Sequence, residues 1–282
     1  LFPILFADDS NEFLIGKAPN EIMNSELKKI LLWLCMNKLT SNIKKTQFMI
    51  FCPPRKKPDI SVALVINDET INQVIKTKFL GVIIDAYLKW NFHINYISAK
   101  IAKGIGVISK ARKYLNKDSL ISLYYSFAYS YLNYCIEVWG KCAACHLSSL
   151  LKLQKKIIRI ACGSHRLDHT EPLFKALHIL PLRKLYQFRV GMFMFKYNKH
   201  DLPPVFDNLY TINNEIHQYS TRLATRIHIP KVRTNLLKHT IRYAGAIIWN
   251  HLYNVVPFEC SLDTYRKRLK YYNLTNDLCI NV

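Results

Sequence analysis

The feature that most constrains the fold is a stripe of isoleucines between residues 94 and 108, recurring at steps of three and four residues. That spacing matches the 3.6-residue period of an α-helix and puts every isoleucine on one face. The stripe consists of Ile94, Ile97, Ile101, Ile105 and Ile108. Such an apolar face has to be buried against another element. The pattern therefore predicts a core helix of a helical domain.

Basic side chains lie on the other side of this helix, and a second helix repeats the arrangement. The lysines of the first helix are Lys100, Lys103, Lys110 and Lys113. The second apolar stripe, Leu150, Leu153, Ile157 and Ile160, is accompanied by Lys152, Lys155, Lys156 and Arg159. One charged helix face is usually only solvated, but two such faces in a strongly basic chain favour contact with phosphates.

Helical patterns continue from Trp90 to the C-terminal part of the chain. A tyrosine-rich helix is expected to start at an Asp118-Ser119 cap and to end at Gly140. Gly163 is expected to end the second basic helix, and Thr170-Glu171-Pro172 and Leu180-Pro181 to begin two more. Residues beyond 203 are mixed and predict no clear order of elements.

The first 85 residues instead alternate between strand and helix patterns. Residues 2–15 predict a hairpin that turns at Asp8-Asp9, and Pro19 opens a helix. Buried strands are expected at 46–52, and further strands at 61–66 and 75–85, with a turn at Asn67-Asp68. The predicted fold class is therefore α+β, mostly helical.

The charge balance points to a polyanionic partner. Forty Lys and Arg residues against nineteen Asp and Glu give a net charge of +21. Nucleic acid is the first candidate, because each phosphate contact releases a condensed counterion. A membrane surface is less suited, because the basic residues are spread along the chain, and the uncharged stretch from Ser119 to Ile136 carries too many polar groups for lipid. The eight cysteines predict reduced thiols in an intracellular protein.

Two adjacent carboxylates, Asp8 and Asp9, follow a run of seven uncharged residues. In apolar surroundings they would repel each other unless a cation lies between them, and Mg²⁺ suits such a position. Two such ions can stabilise both oxygens of a phosphoryl transfer. The alternative is a solvated β-turn without chemistry.

Several strings, in one order, resemble the reverse transcriptases of non-LTR (LINE-type, jockey-like) retrotransposons. "FADD" resembles their (F/Y)xDD box, and "WLCMNKLTSNIKKTQFMIF" and "KFLGVIIDAYLKWNFHINYISAKIAKGIG" resemble the two segments that follow it. "LYYSFAYSYLNYCIEVWG", "LQKKIIRIACG" and "HTEPLFKALHILPL" resemble the C-terminal helices. The resemblance covers residues 1 to about 250 and implies an RNA-directed DNA polymerase.

By position, this resemblance implies a role for each matched residue. Asp8 and Asp9 would hold the catalytic Mg²⁺, Asp8 more directly, and Lys45 would protonate the departing pyrophosphate, although Lys44 beside it blurs the choice. Phe79-Leu80-Gly81 would form the primer-grip turn, the alternative being a glycine bulge in a strand. The lysines named above would grip the RNA template and DNA primer through their phosphates.

The resemblance also implies a layout. Residues 1–89 would be part of the polymerase palm, 90–165 a helical thumb and 166–282 a helical C-terminal extension. The family takes a third metal-binding Asp from a strand upstream of the DD box, and its fingers bind the dNTP. The start at Leu1 is therefore interpreted as a cut edge, and the chain alone is expected not to polymerise. Localisation is expected in nucleus and cytoplasm, as a ribonucleoprotein.

Three alternatives stay open at this point. The chain could be a non-catalytic basic module that binds nucleic acid. Asp8 to Glu12 also imitates the acidic DDxxE box of prenyl-diphosphate enzymes, which requires a helix rather than a strand. Finally, Cys142, Cys145, Cys162 and His165 have the count and spacing of a zinc site, although a predicted helix lies between the two halves.

Overall fold

The computed structural model describes residues 2–6, 9–15, 19–53, 62–216 and 222–276. The chain forms two compact units, Leu1–Leu88 and Lys89–Val282. Helix accounts for 55% and strand for 10% of the structure, so the predicted class, α+β and mostly helical, is confirmed. The regions expected to be thumb and extension lie together in the second unit, and their functional division stays a prediction.

A hairpin and one long helix open the first unit. Strands β1 (Phe2–Phe6) and β2 (Asp9–Phe13) are antiparallel, with Phe6 opposite Asp9. Helix α1 follows at Pro19–Met36, as predicted. The hairpin was expected to turn at Asp8-Asp9, but Asp9 is already the first paired residue of β2. Its backbone is held by the strand ladder, so Asp9 does not belong to the turn, and Asp8 lies outside the described residues.

The other strands of this unit are short. They are β3 (Gln47–Phe48), β4 (Val65–Ile66), β5 (Glu69–Thr70), β6 (Asn72–Gln73), β7 (Lys76–Phe79) and β8 (Val82–Asp85). β3 pairs in parallel with β6, whereas β4–β5 and β7–β8 are antiparallel hairpins. The predicted buried strand at 46–52 is wrong, because only Gln47 and Phe48 find a strand partner within the described residues and Phe51 is half exposed.

Asparagine side chains attach α1 to the strand region. Asn24 accepts a hydrogen bond from the Val65 amide at 3.0 Å and donates to the Ala63 carbonyl at 3.1 Å. Asn20 accepts from the Ala63 amide at 3.0 Å. Around this contact, α1 and β3 cover a small core of Leu64, Ile66 and Ile71. The side-chain amides of α1 thus bind backbone groups that a neighbouring strand would otherwise bind.

In its described residues, the second unit is helical apart from an isolated bridge between Ile212 and Ile227. Its helices are α2 (Asn91–Ala111), α3 (Lys117–Tyr124), α4 (Ser130–Asn133), α5 (Ile136–Trp139), α6 (Ala144–Cys162), α7 (Glu171–Ala176), α8 (Leu182–Asn198), α9 (Asn213–Ile216), α10 (Asn235–Lys238), α11 (Ile241–Leu252) and α12 (Leu262–Thr275). A π-helical segment (Tyr125–Tyr129) joins α3 to α4, and a 3₁₀ turn (Pro204–Phe206) follows α8.

Two sets of contacts build the core of this unit. Helix α2 packs along α6 and also against α3 and the π-helical segment, while α8 packs against α5, α6, α11 and α12. The isoleucine stripe of α2 is buried throughout, as predicted. Gly163 ends α6 with φ of +67°, and Thr170 and Pro181 precede α7 and α8. These helix boundaries agree with the sequence patterns.

The tyrosine-rich segment differs from the single helix that was expected. Its cap is Asn116, whose side chain accepts from the Ser119 amide at 2.9 Å, rather than Asp118-Ser119. The helix also breaks at Tyr134 and Cys135, where Cys135 has φ of +50°. Trp139 Nε1 donates to the Tyr134 carbonyl at 2.9 Å and closes the break. Within the described residues, none of the helices is long and apolar enough to cross a membrane.

Candidate nucleic-acid interface and carboxylate hairpin

The predicted carboxylate site falls on the β1–β2 hairpin. Asp9 begins β2 with an exposed side chain, and Phe6, opposite it, is 57% exposed. Asp8 lies outside the described residues. In a strand, alternate side chains share a face, so Asp9 and Asn11 point one way and Ser10 and Glu12 the other. The DDxxE interpretation needs a helix here, and the strand geometry of residues 9–13 does not meet that requirement.

A further carboxylate of this hairpin lies in a different environment. One oxygen of Glu12 is shielded from solvent and has no hydrogen-bond partner among the described residues. Burial raises the pKa of this carboxyl. From the sequence, Glu12 was predicted only as part of the DDxxE box, and its position after an apolar strand was the signal that could have identified it.

The predicted lysine of the KT segment precedes β3. The Lys45 amide donates to the Asn42 carbonyl at 3.0 Å and to its side chain at 3.2 Å, which fixes the turn. Its ammonium group is exposed, as is that of Lys44. Asp9 and Lys45 belong to different elements, and no hydrogen bond or ion pair links them within the described part of the chain. Lys45 as a proton donor therefore stays a prediction.

The Phe79-Leu80-Gly81 segment is a tight hairpin turn. Phe79 pairs with Val82 across it, and both central residues have positive φ, +43° for Leu80 and +84° for Gly81. Such a two-residue turn matches the twist of its strands, and glycine adopts the second conformation without strain. The alternative of a glycine bulge within a strand is wrong. The primer-grip role itself is untested.

The lysines of α2 form an exposed face opposite the buried isoleucines. Lys100, Lys103 and Lys110 all lie on the solvent side of the helix, and the Lys100 ammonium lies 5.6 Å from the centre of the Tyr96 ring. Lys113 is also exposed but lies beyond Ala111, where α2 ends. The prediction that Lys113 belongs to this helix is therefore wrong, because α2 ends two residues before it.

The basic residues of α6 are of two kinds. Lys152 and Lys156 are exposed, whereas Lys155 and Arg159 are half-buried. The Arg159 guanidinium donates from Nε and Nη2 to the Asp168 carbonyl, at 2.9 and 2.8 Å. It therefore holds the loop after α6 in place. Lys155 and Arg159 differ from Lys152 and Lys156 because they lie closer to the buried face of α6.

The buried face of α6 is rotated from the one expected. It consists of Leu150, Gln154, Ile157, Ile158 and Ala161, while Leu153 and Ile160 are only partly buried. Gln154 is fully buried: its Nε2 donates to Tyr124 Oη and to the Leu180 carbonyl, both at 3.0 Å, and its Oε1 accepts from the Leu182 amide at 2.9 Å. Gln154 was not predicted to be buried, although its spacing of four from Leu150 indicated a buried position.

The cysteines do not form the zinc site left open above. Helix α6 is intact between Cys145 and Cys162, which separates the two halves of the candidate site by about 25 Å. Burial also raises the pKa of the Cys142 thiol, which disfavours the thiolate that zinc requires. Within the described residues, no group of three or more His, Cys, Asp or Glu side chains could hold a metal ion.

The electrostatics of the helical region favour anions. Between Trp90 and Leu167 the acidic residues are Asp118 and Glu137, whereas basic residues recur throughout. Glu137 pairs with Arg189 at 2.8 Å, so it offsets little of the charge on α2 and α6. This arrangement can attract phosphates and contact them without reading base sequence.

Comparison with known proteins adds no relative. No protein-family model matches the chain, and neither a curated protein nor a solved structure is similar to it.

Proposed function

We propose that the chain is the C-terminal part of an RNA-directed DNA polymerase of a non-LTR retrotransposon. The order of the motif strings supports the polymerase, with residues 1–89 as part of the palm, 90–165 as thumb and 166–282 as extension. RNA template, DNA primer and, in the intact enzyme, dNTP and Mg²⁺ would be its partners. As a ribonucleoprotein it would be found in nucleus and cytoplasm.

The observation that carries the nucleic-acid part of this proposal is the exposed lysine face of α2. Lys100, Lys103 and Lys110 are aligned on a helix whose other side is rigidly buried, in a region with few carboxylates. Fixed cations of this kind bind the phosphate backbone of a duplex, position it and give little sequence preference.

The test measures binding of an RNA–DNA duplex by fluorescence anisotropy at several salt concentrations. Replacing Lys100, Lys103 and Lys110 by Gln should weaken binding and reduce the salt slope by about one unit per lysine. Lys175→Gln is the matched control, since that exposed lysine lies 3.5 Å from Glu171. Unchanged binding by the triple variant, or binding without salt dependence, would contradict the proposal.

The carboxylate part of the proposal rests on the hairpin and the DD box. Asp8 and Asp9 would hold Mg²⁺, with a third carboxylate supplied by a strand that precedes the box in this family. Primer extension would therefore require that third carboxylate beside Asp8 and Asp9. Phosphoryl transfer by two metal ions needs the full set of ligands in place.

Two assays examine this part. A version of the chain lengthened before Leu1 by a strand that carries such a carboxylate should extend a primer on RNA in the presence of Mg²⁺, and Asp8→Asn and Asp9→Asn should each abolish extension. Full extension by both Asn variants would remove the carboxylates from the mechanism. If the lengthened chain binds the duplex but never extends a primer, the second candidate, a non-catalytic nucleic-acid-binding module, takes its place.

A further inference from the structure

Helix α12 carries an exposed basic surface that lies outside the resemblance, which ends at about residue 250. The surface, here called the α12 face, consists of the exposed residues Lys267, Arg268 and Tyr271 and of the partly buried Lys270. Lys267, Lys270 and Tyr271 are three and four residues apart and so share one side of the helix, with Arg268 beside them. Tyr271 is 70% exposed, which is unusual for so large a ring.

The other side of α12 is firmly packed, so the orientation of this face is fixed. Tyr265 and Leu269 are fully buried, and the Tyr265 ring stacks on Phe195 of α8 at 4.3 Å. Gly191 of α8 approaches so closely that a Cβ there would lie 2.8 Å from Leu269. At the far end, His251 and the Tyr272 hydroxyl are 2.8 Å apart.

The charge of the face is not neutralised by its own helix. Asp263 is the acidic residue of α12, and it forms an ion pair with Arg266 at 2.8 Å. Within the part of the chain that the structure describes, no carboxylate pairs with Lys267, Arg268 or Lys270. Three neighbouring cations therefore lie on the same part of the helix as an exposed aromatic ring.

We propose that the α12 face binds single-stranded nucleic acid, with phosphates on Lys267, Arg268 and Lys270 and one base stacked on Tyr271. Proteins that bind single strands without sequence preference combine two features, cations for the phosphates and exposed aromatic rings for the bases. A duplex keeps its bases stacked on each other and cannot use the ring. The proposal is separate from the α2 face and does not require polymerase activity.

The experiment measures the binding of one fluorescent RNA, as a single strand and as a duplex, to the full chain. The triple variant Lys267→Gln, Arg268→Gln and Lys270→Gln should reduce the salt slope for the single strand by about two units. Tyr271→Ala should weaken single-strand binding by about 5-fold or more and leave duplex binding unchanged. Tyr271→Phe should bind like the unaltered chain, because the ring is kept.

Controls separate this surface from its surroundings and from the proposed function. Arg266→Gln removes a cation of the same helix that is already paired, and should change binding less than about 2-fold. The α12 variants are also measured in a chain in which Lys100, Lys103 and Lys110 of α2 are replaced by Gln. If only the α2 substitutions affect binding, the α12 proposal fails and the first proposal stands; the reverse result overturns the first alone.

Two further results would overturn the α12 proposal. If Tyr271→Ala weakened single-strand and duplex binding equally, base stacking on Tyr271 would be ruled out. A triple variant that keeps its RNA affinity but no longer binds phosphatidylserine vesicles would assign the α12 face to a membrane surface. Since none of the substituted side chains is buried, unfolding by urea should be unchanged and confirms that every variant is folded.

Discussion

Gln154 of α6 donates a hydrogen bond to the Tyr124 hydroxyl at 3.0 Å, in the fully buried centre of the helical unit. The same amide group also binds the Leu180 carbonyl and the Leu182 amide. One side chain thereby joins α6, the end of α3 and the start of α8. Each partner is a buried polar group that has no access to water.

Gln154→Leu should lower the free energy of unfolding by about 3 kcal/mol or more, because a side chain of similar size leaves three buried polar groups without partners. Tyr124→Phe should cost only about 1 to 2 kcal/mol, since it leaves one N–H of Gln154 unpaired. Urea unfolding monitored by circular dichroism measures both. Equal stability of Gln154→Leu and the unaltered chain would contradict the importance of this network.

Two glycines of α2 provide a matched pair. A Cβ at Gly104 would lie 2.8 Å from Phe127 Cβ, whereas one at Gly106 meets nothing within 4 Å. Gly106→Ala should therefore stabilise the helix by about 0.5 to 1 kcal/mol. Gly104→Ala should destabilise it by about 1 to 3 kcal/mol, because α2 has to move away from the π-helical segment. Thermal unfolding of the two variants should shift in opposite directions.

The buried imidazole of His93 should make stability depend on pH. Burial lowers its pKa from 6.5 to about 4, and its ring lies edge-on to Trp139 at 5.6 Å. Because the folded pKa is the lower one, the stabilisation is complete above pH 6.5 and is lost as the pH falls towards 4. The loss should reach up to about 3 kcal/mol. Urea unfolding between these pH values should show it, and His93→Phe should flatten the profile.

Glu12 has the opposite sign. Burial raises the pKa of its carboxyl in the folded chain above the ordinary 4.5. Its contribution to stability is therefore present below pH 4.5 and is lost as the pH rises through the folded pKa. Glu12→Gln should slow hydrogen exchange of the β2 amides at pH 7 and leave it unchanged at pH 4. Faster exchange at pH 7 would show that the ionised carboxylate has a stabilising partner.

Some of these features could be predicted from the sequence and others could not, for physical reasons. The helices α2 and α6 were predictable because their apolar residues repeat at helical spacing over about four and about three turns, and the turn at Asn67-Asp68 because these residues tolerate positive φ. The lengths of the short strands were not predictable, since a strand extends only as far as a partner strand pairs with it. The break at Cys135 has no local signal, because Trp139 closes it from the next helix turn.

Within the candidate interface, sequence spacing identified cations but not what each one contacts. Lys100, Lys103 and Lys110 are exposed, so their spacing alone placed them correctly on the solvent side of α2. Arg159 has the same spacing within α6, yet its guanidinium is directed to the Asp168 carbonyl. Only the path of the loop after Gly163 determines this contact, and that path depends on the packing of α7.

Arg159 and Lys156 should therefore respond differently to substitution. Arg159→Lys keeps the charge but loses the forked geometry, so it should lower the free energy of unfolding by about 1 to 2 kcal/mol and leave the salt slope of duplex binding unchanged. Lys156→Gln should leave stability within about 0.5 kcal/mol and reduce that slope by about one unit. Urea unfolding and anisotropy titrations on the same two proteins measure both effects. A reduced slope for Arg159→Lys at unchanged stability would show that the guanidinium acts on the nucleic acid rather than on the loop.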